Sequence, residues 1–192
     1  MKINIRHVSI LLAILLLSFG FGFAFDAVAT AIEKYDCPIV DTYAEQIRKT
    51  AEEFALPEAI LWAVVRTESN FASNAVGEDG GIGLMQITPN EFHMIQTEIL
   101  GKDAQESGLL YDPKTNLRIG GAYLSYLYQR YGVWYTVFAA YTAGCDTVDE
   151  WMRDDRYIND HGTLISIPDA DIAAHVAHTM EAQEMYSNLY FD

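Results

Sequence analysis

Between Pro57 and Gln86 the chain reads PEAILWAVVRTESNFASNAVGEDGGIGLMQ, an apolar helical stripe that ends in an acid and runs into a glycine-rich loop. Ile60, Leu61, Val64 and Val65 recur at the spacing that places them on one buried face of a helix. Pro57 suits the first helical position, where its missing N–H would have lacked an intrahelical partner anyway. Continuing the stripe by four residues from Val64 and three from Val65 reaches Glu68, so a carboxyl stands where the pattern calls for leucine or valine. Apolar surroundings and the negative end of the helix dipole both disfavour an anion at that place. A carboxyl kept neutral in this way is what a general acid for glycosidic cleavage requires. Read structurally, the same residue is a carboxylate paired with Arg66 or capping the loop. Gly77, Gly80, Gly81 and Gly83 crowd the next stretch, which signals tight turns or backbone in close approach to a ligand.

The remaining pattern predicts a single, predominantly α domain with one small loop or β element around 82–87. Thr42 to Phe54 is amphipathic, with Tyr43, Ile47, Ala51 and Phe54 on one side. Thr88-Pro89-Asn90-Glu91 is a capping box that opens a helix burying Phe92, Ile95 and Ile99 and stopping at Gly101. Lys102 to Tyr111 reads as a loop. Asp112-Pro113 starts a long helix with Leu117, Gly121, Leu124 and Tyr128 inward and Gly132 as its C-cap. Two glycines inside it, Gly120 and Gly121, cost roughly 1 kcal/mol each against alanine, which points to another helix packing closely there. The segments 133–143, 147–153 and 167–190 complete the helical set. Of the aromatic run from Tyr123 to Phe138, most rings at helical spacing belong to a core, and one or two are expected to stack on sugar.

Lys2, Arg6 and His7 precede an apolar run from Val8 to Phe25 and then Ala27, Ala29 and Ala31, the layout of a secretory signal. Ala27-Val28-Ala29 offers a cleavage site, giving residues 1–29 as signal and 30–192 as the domain, although the run is also long enough to remain as a membrane anchor. The expected location is therefore exported, in the periplasm or cell envelope. Without the signal, 10 basic residues face 26 acidic ones. That balance speaks against nucleic acid, whose binding rests on lysine and arginine neutralising phosphates, and against anionic lipid surfaces. Cys37 and Cys145, an even pair in an exported chain, are expected to form a disulfide. No cluster supports a metal site, and no cofactor is called for.

Three short signatures occur in order: Glu68-Ser69, Gly83-Leu84-Met85-Gln86, and Ala140-Tyr141-Thr142-Ala143-Gly144. Asn116-Leu117, Gly120-Gly121 and Tyr123-Leu124 lie between them, and Ile167-Pro168 through His175-Val176 follows. Over about residues 42–189 the chain thereby resembles the catalytic domain of soluble lytic transglycosylases, a lysozyme-like fold related to goose-type lysozyme. The resemblance implies a peptidoglycan glycan strand as partner and Glu68 as the single acid/base that cleaves the MurNAc-GlcNAc β-1,4 bond, leaving 1,6-anhydromuramyl ends. It implies that Ser69 bonds substrate or the loop, that Gly83 and Met85 line the saccharide groove, and that Gln86 orients sugar or backbone. The Tyr141 hydroxyl is expected to reach the catalytic carboxylate. Thr142 stands where the family has asparagine and brings one donor where the amide has two. His175 stands where a groove tyrosine is expected, with Asp171 replacing a glutamate; the plainer reading of His175 is a solvated histidine beside His178. The small size resembles monomeric members that open the wall locally for secretion or conjugation complexes. Two other readings stay open. Glu78 or Asp79 could serve as a second carboxylate in a hydrolytic, goose-type-like lysozyme, or be solvated turn residues; Thr142 and His175 could mark an inactive glycan-binding scaffold.

Overall fold

A computed structural model describes residues 28–31, 33–34 and 37–191. The chain divides into two units, residues 1–38 and 39–192, and in the first of them residues 28–31 and 33–34 are helical. The apolar run from Val8 to Phe25 lies outside the described residues. Among those described, no helix is long and apolar enough to cross a membrane.

Among its described residues the second unit holds seven α-helices: α1 (Asp41–Phe54), α2 (Glu58–Ser69), α3 (Pro89–Met94), α4 (Pro113–Tyr131), α5 (Trp134–Ala143), α6 (Cys145–Trp151) and α7 (Ala170–Tyr186). Its core forms where α2 and α5 pack on α7, and where α1 and α5 pack on α4. The α2 stripe is buried as its periodicity predicts, Ile60, Leu61, Val64 and Val65 being almost wholly inaccessible. Trp62, on the same helix, is also fully buried; it stacks on Tyr186 of α7 at 5.8 Å between ring centroids and donates its Nε1–H to Glu58 Oε1 at 3.1 Å.

Several boundaries differ from the expectation, each for a local reason. Pro57 has ψ 131°, so it caps α2 from outside instead of forming its first residue. The capping box at Thr88 forms with both hydrogen bonds, but the helix it opens widens into a π-helical turn at Ile95–Ile99. The expected loop after it contains a 3-10 turn, Ser107–Tyr111. Tyr128 is 41% exposed and does not face inward; its ring stacks on Trp134 at 4.4 Å, at the junction of α4 and α5. The β element consists of isolated bridges, Val76 with Ile82 and Ile82 with Ile87, and a further one joins Ile158 to Leu164.

The glycine pair in α4 does mark close packing, on two sides. A β-carbon on Gly121 would run into Thr50 and Phe54 of α1, the neighbouring helix that was anticipated. One on Gly120 would meet the Met85 side chain, so that glycine makes room for the loop after α2 and not for a helix.

The Cys37–Cys145 disulfide is not formed. Cys145 opens α6, where its backbone carbonyl accepts the Tyr131 hydroxyl at 3.4 Å. The even cysteine count that raised the expectation carries no information on whether two β-carbons meet at the distance a disulfide needs.

Candidate active site

Glu68 sits in the last turn of α2, carried there by the buried stripe beneath it. Its side chain is 16% exposed, enough for contact with a ligand and too little for free solvation. The helix ends one residue later, where Asn70 takes a left-handed conformation (φ 49°) and returns its N–H to the Arg66 carbonyl. The guanidinium of Arg66, which the structural reading offered as a partner of Glu68, donates to Asn70 Oδ1 at 3.0 Å.

Ser69 ties this helix end to the following loop. Its hydroxyl lies 2.8 Å from the Leu84 carbonyl and 3.3 Å from that of Val65, so it serves the loop and the helix end together. The loop is closed by its own backbone: Gly77 N–H donates to Gly81 O, Gly83 N–H to Ala75 O, and Ile82 and Ile87 exchange hydrogen bonds. Gln86, at φ 50°, donates its side-chain amide to Gly83 O at 2.8 Å, a contact to the backbone of its own loop.

Asn116, fully buried on α4, locks the loop from below. Its Oδ1 accepts from Met85 N–H at 2.8 Å, and its Nδ2 donates to Ile82 O at 2.7 Å and Leu110 O at 2.9 Å. Those bonds require the backbone at Gly83 to pass very close. Gly83 has φ 78°, and a β-carbon there would meet the Asn116 amide and lie 2.6 Å from Leu110 O. Gly83→Ala is expected to destabilise the domain by about 2 to 4 kcal/mol, the sum of left-handed strain and overpacking. Thermal denaturation followed by circular dichroism measures this, and a loss below about 1 kcal/mol would contradict the packing described.

The other expected site residues divide. Met85 does not line a groove: its side chain is fully buried in the space left by Gly120, while its carbonyl accepts the Tyr141 hydroxyl at 2.6 Å. That bond also corrects the expectation for Tyr141, whose hydroxyl goes to Met85 and not to the acid. Glu68 is nonetheless near enough to act on it. Burial foremost, then the Glu68 and Glu91 carboxylates and Tyr123, push the Tyr141 phenol well above its ordinary value and keep it protonated. Thr142 is exposed, and its hydroxyl donates back to Phe138 O at 3.0 Å within α5.

His175 is not a solvated surface histidine. Its Nε2 lies 2.9 Å from Glu68 Oε1, and the bond to Glu68 raises the imidazole above its ordinary value against the opposing effect of burial. His178, by contrast, is exposed. The remaining acids near the loop are differently placed. Glu78 and Asp79 are exposed, Asp79 accepting from Gly81 N–H at 3.1 Å within its own turn. Glu91 is bound into the Thr88 capping box, accepting from Thr88 N–H and Oγ1–H at 2.9 and 2.8 Å.

Asn116 was visible in the sequence only as part of a signature, with no role attached. One signal could have found it: with Gly120, Tyr123 and Leu127 it lies on the buried face of α4, where an amide is as conspicuous as the acid on α2.

A helical unit that seats one sheltered carboxylate at a helix end, beside a loop pinned to the core, defines a lysozyme-like domain. The chain belongs to the Transglycosylase SLT domain family, whose profile matches residues 45–161. Among curated proteins it is 32% identical over 123 residues to membrane-bound lytic murein transglycosylase C of Pectobacterium atrosepticum, covering 59% of this chain and 34% of that protein. The membrane-bound lytic murein transglycosylase C of Yersinia pestis is 31% identical over the same length and coverage. Among solved structures, the soluble lytic transglycosylase SLT70 of Escherichia coli superposes with a TM-score of 0.74 at 26% identity, over 83% of this chain and 26% of that one. An inactive glutamate-to-glutamine variant of lytic transglycosylase Slt from Pseudomonas aeruginosa gives 0.69 at 25% identity, over 79% and 24%. The chain thus spans about a third of the length of these curated relatives and about a quarter of the solved ones.

Proposed function

We propose that this chain is a peptidoglycan lytic transglycosylase that cleaves the MurNAc-GlcNAc β-1,4 bond with Glu68 as its single acid/base. The observation that carries the reading is the contrast between Glu68 and the other acids. Glu68 is fixed on a packed helix, Glu78 and Asp79 are in an exposed turn, and Glu91 is committed to a cap. Paired-carboxylate hydrolases need a second fixed carboxyl about 5 to 9.5 Å from the first. With one, the chemistry runs through the substrate. Glu68 protonates the glycosidic oxygen as the C1–O bond breaks, then takes the proton of the muramyl 6-hydroxyl as that oxygen attacks C1, giving a 1,6-anhydro end without water. The family match and relatives named as murein transglycosylases support the same reaction.

Murein lies in the cell envelope, and the apolar run from Val8 to Phe25 supports export to that location, in the periplasm, by a signal or an anchor. The resemblance to members that open the wall locally supports a monomer working beside a secretion or conjugation complex.

The test is removal of the rival carboxylates. Glu78→Gln combined with Asp79→Asn should leave anhydro-product formation within about tenfold of the parent, a change worth roughly 1.4 kcal/mol. Cleavage that stops in a double variant with unchanged circular dichroism would identify a second catalytic carboxylate and move the reading to lysozyme-type hydrolysis.

A further inference from the structure

The Glu68–His175 contact joins residues 107 positions apart in sequence and brings an ionisable base against the one sheltered acid of the site. We propose that His175 is a positioning residue for Glu68 and that the two side chains share one proton, which the pair gives to the leaving oxygen and recovers from the attacking hydroxyl. This rests on the transglycosylase reading of the same site.

The register of α7 on α2 sets up the contact. The Thr179 and Thr67 hydroxyls meet at 3.2 Å, and Thr179 also bonds the His175 carbonyl at 3.0 Å. One turn earlier on α7, and one residue later on α2, this brings His175 Nε2 to 2.9 Å from Glu68 Oε1. The two side chains are 32% and 16% exposed, so the pair is sheltered yet open to a ligand.

The neighbouring charged and titratable groups lie on α2, α5 and α7. On α2, the Arg66 guanidinium donates to Asn70 Oδ1. From α5, Tyr141 lies near Glu68, its phenol kept neutral and its hydroxyl given to Met85; the Glu91 carboxylate acts on that same phenol. On α7 itself, Asp171 and His178 stand about one turn to either side of His175, and both are exposed. Glu68 is therefore the group that governs His175, and it favours the charged imidazole.

The residue type matters. A tyrosine, expected here from the family resemblance, titrates near 10 and holds its proton throughout the neutral range. An imidazole changes charge within that range. As the glycosidic C1–O bond breaks, the shared proton passes to the leaving oxygen, which leaves a carboxylate beside a neutral imidazole. The muramyl 6-hydroxyl oxygen then forms the new bond to C1, and its proton returns to the pair. No proton, electron or water is gained or lost over the cycle.

The consequence is a pH profile set by two groups. As pH rises through the raised imidazole value the pair loses its one proton, and with it the acid. Without the imidazole, the alkaline limb loses the group whose titration sets it.

The experiment combines kcat/KM against pH on soluble glycan strands with an NMR titration of the His175 imidazole. In His175→Gln, which can still hydrogen-bond but does not titrate, the alkaline limb is expected to move acidward by about one unit or more, within the roughly two-unit gap between ordinary imidazole and carboxyl values. His175→Tyr is expected to move it in the same direction and covers the case in which the glutamine variant fails to fold. In the parent, His175 should titrate above an ordinary histidine, and in Glu68→Gln at or below one. An alkaline limb unmoved in both His175 variants, or a His175 titration unchanged by Glu68→Gln, overturns the proposal. A parent chain that cleaves no glycan overturns the reading of the reaction instead, and the imidazole titration then decides the pairing on its own.

Discussion

Replacing Glu68 by glutamine is expected to reduce glycan cleavage by at least about 100-fold while leaving the fold intact. The amide is nearly isosteric and can still hydrogen-bond His175, so α2, Ser69 and the loop keep their places. It has no acidic proton for the leaving oxygen and no basic oxygen for the incoming hydroxyl, so both halves of the reaction are lost together. Because the amide keeps the size and the hydrogen-bonding reach of the sheltered carboxyl, the thermal midpoint should stay within a few degrees of the parent. Rates of muropeptide release measured beside circular dichroism check both statements. A folded variant with near-normal activity would remove Glu68 from the chemistry.

Asn116→Ala is expected to have the largest effect on stability. It leaves Met85 N–H, Ile82 O and Leu110 O without the partner that satisfies them inside the core. Each unmade buried bond costs about 1 to 3 kcal/mol, so the total loss is at least about 3 kcal/mol. For a domain near 150 residues that lowers the thermal midpoint by roughly 6 to 12 °C. Cleavage should fall as well even where the protein stays folded, because the loop that Ser69 joins to the Glu68 helix loses its lower anchor. Denaturant titration gives the free-energy change, and a loss under about 1 kcal/mol would mean that the loop is held by something else.

Much of this was legible along the chain because the signals are local. The helical stripe on α2, the capping box at Thr88 and the glycine cap at Gly132 each depend on residues within a few positions of one another. The place of Glu68 followed from the same periodicity. What escaped is long-range or depends on which atom a residue presents. Met85 fits the family signature, yet it contributes a backbone carbonyl to Tyr141 while its side chain fills the space above Gly120. The π turn after Met94 and the outward ring of Tyr128 reflect tertiary packing that no pattern of period 3.6 encodes. His175 was placed in the groove by its position in a signature, but its contact with Glu68 depends on how α7 lies on α2, and only the folded chain brings the two together. The two cysteines show the reverse error. An even count in an exported chain argues for a disulfide by compartment alone, and it says nothing about the geometry that the bond requires.

The central claim is that one carboxyl, working without water, releases glycan with 1,6-anhydromuramyl ends. Mass spectrometry of the soluble products from purified sacculi treated with the full chain tests it most directly, because an anhydro end is lighter than a reducing end by one water. The expected result is muropeptides carrying anhydro ends from the parent and almost none from Glu68→Gln. Reducing ends would contradict the account in favour of hydrolysis, and sacculi left intact by the folded parent would contradict it in favour of a glycan-binding protein without activity.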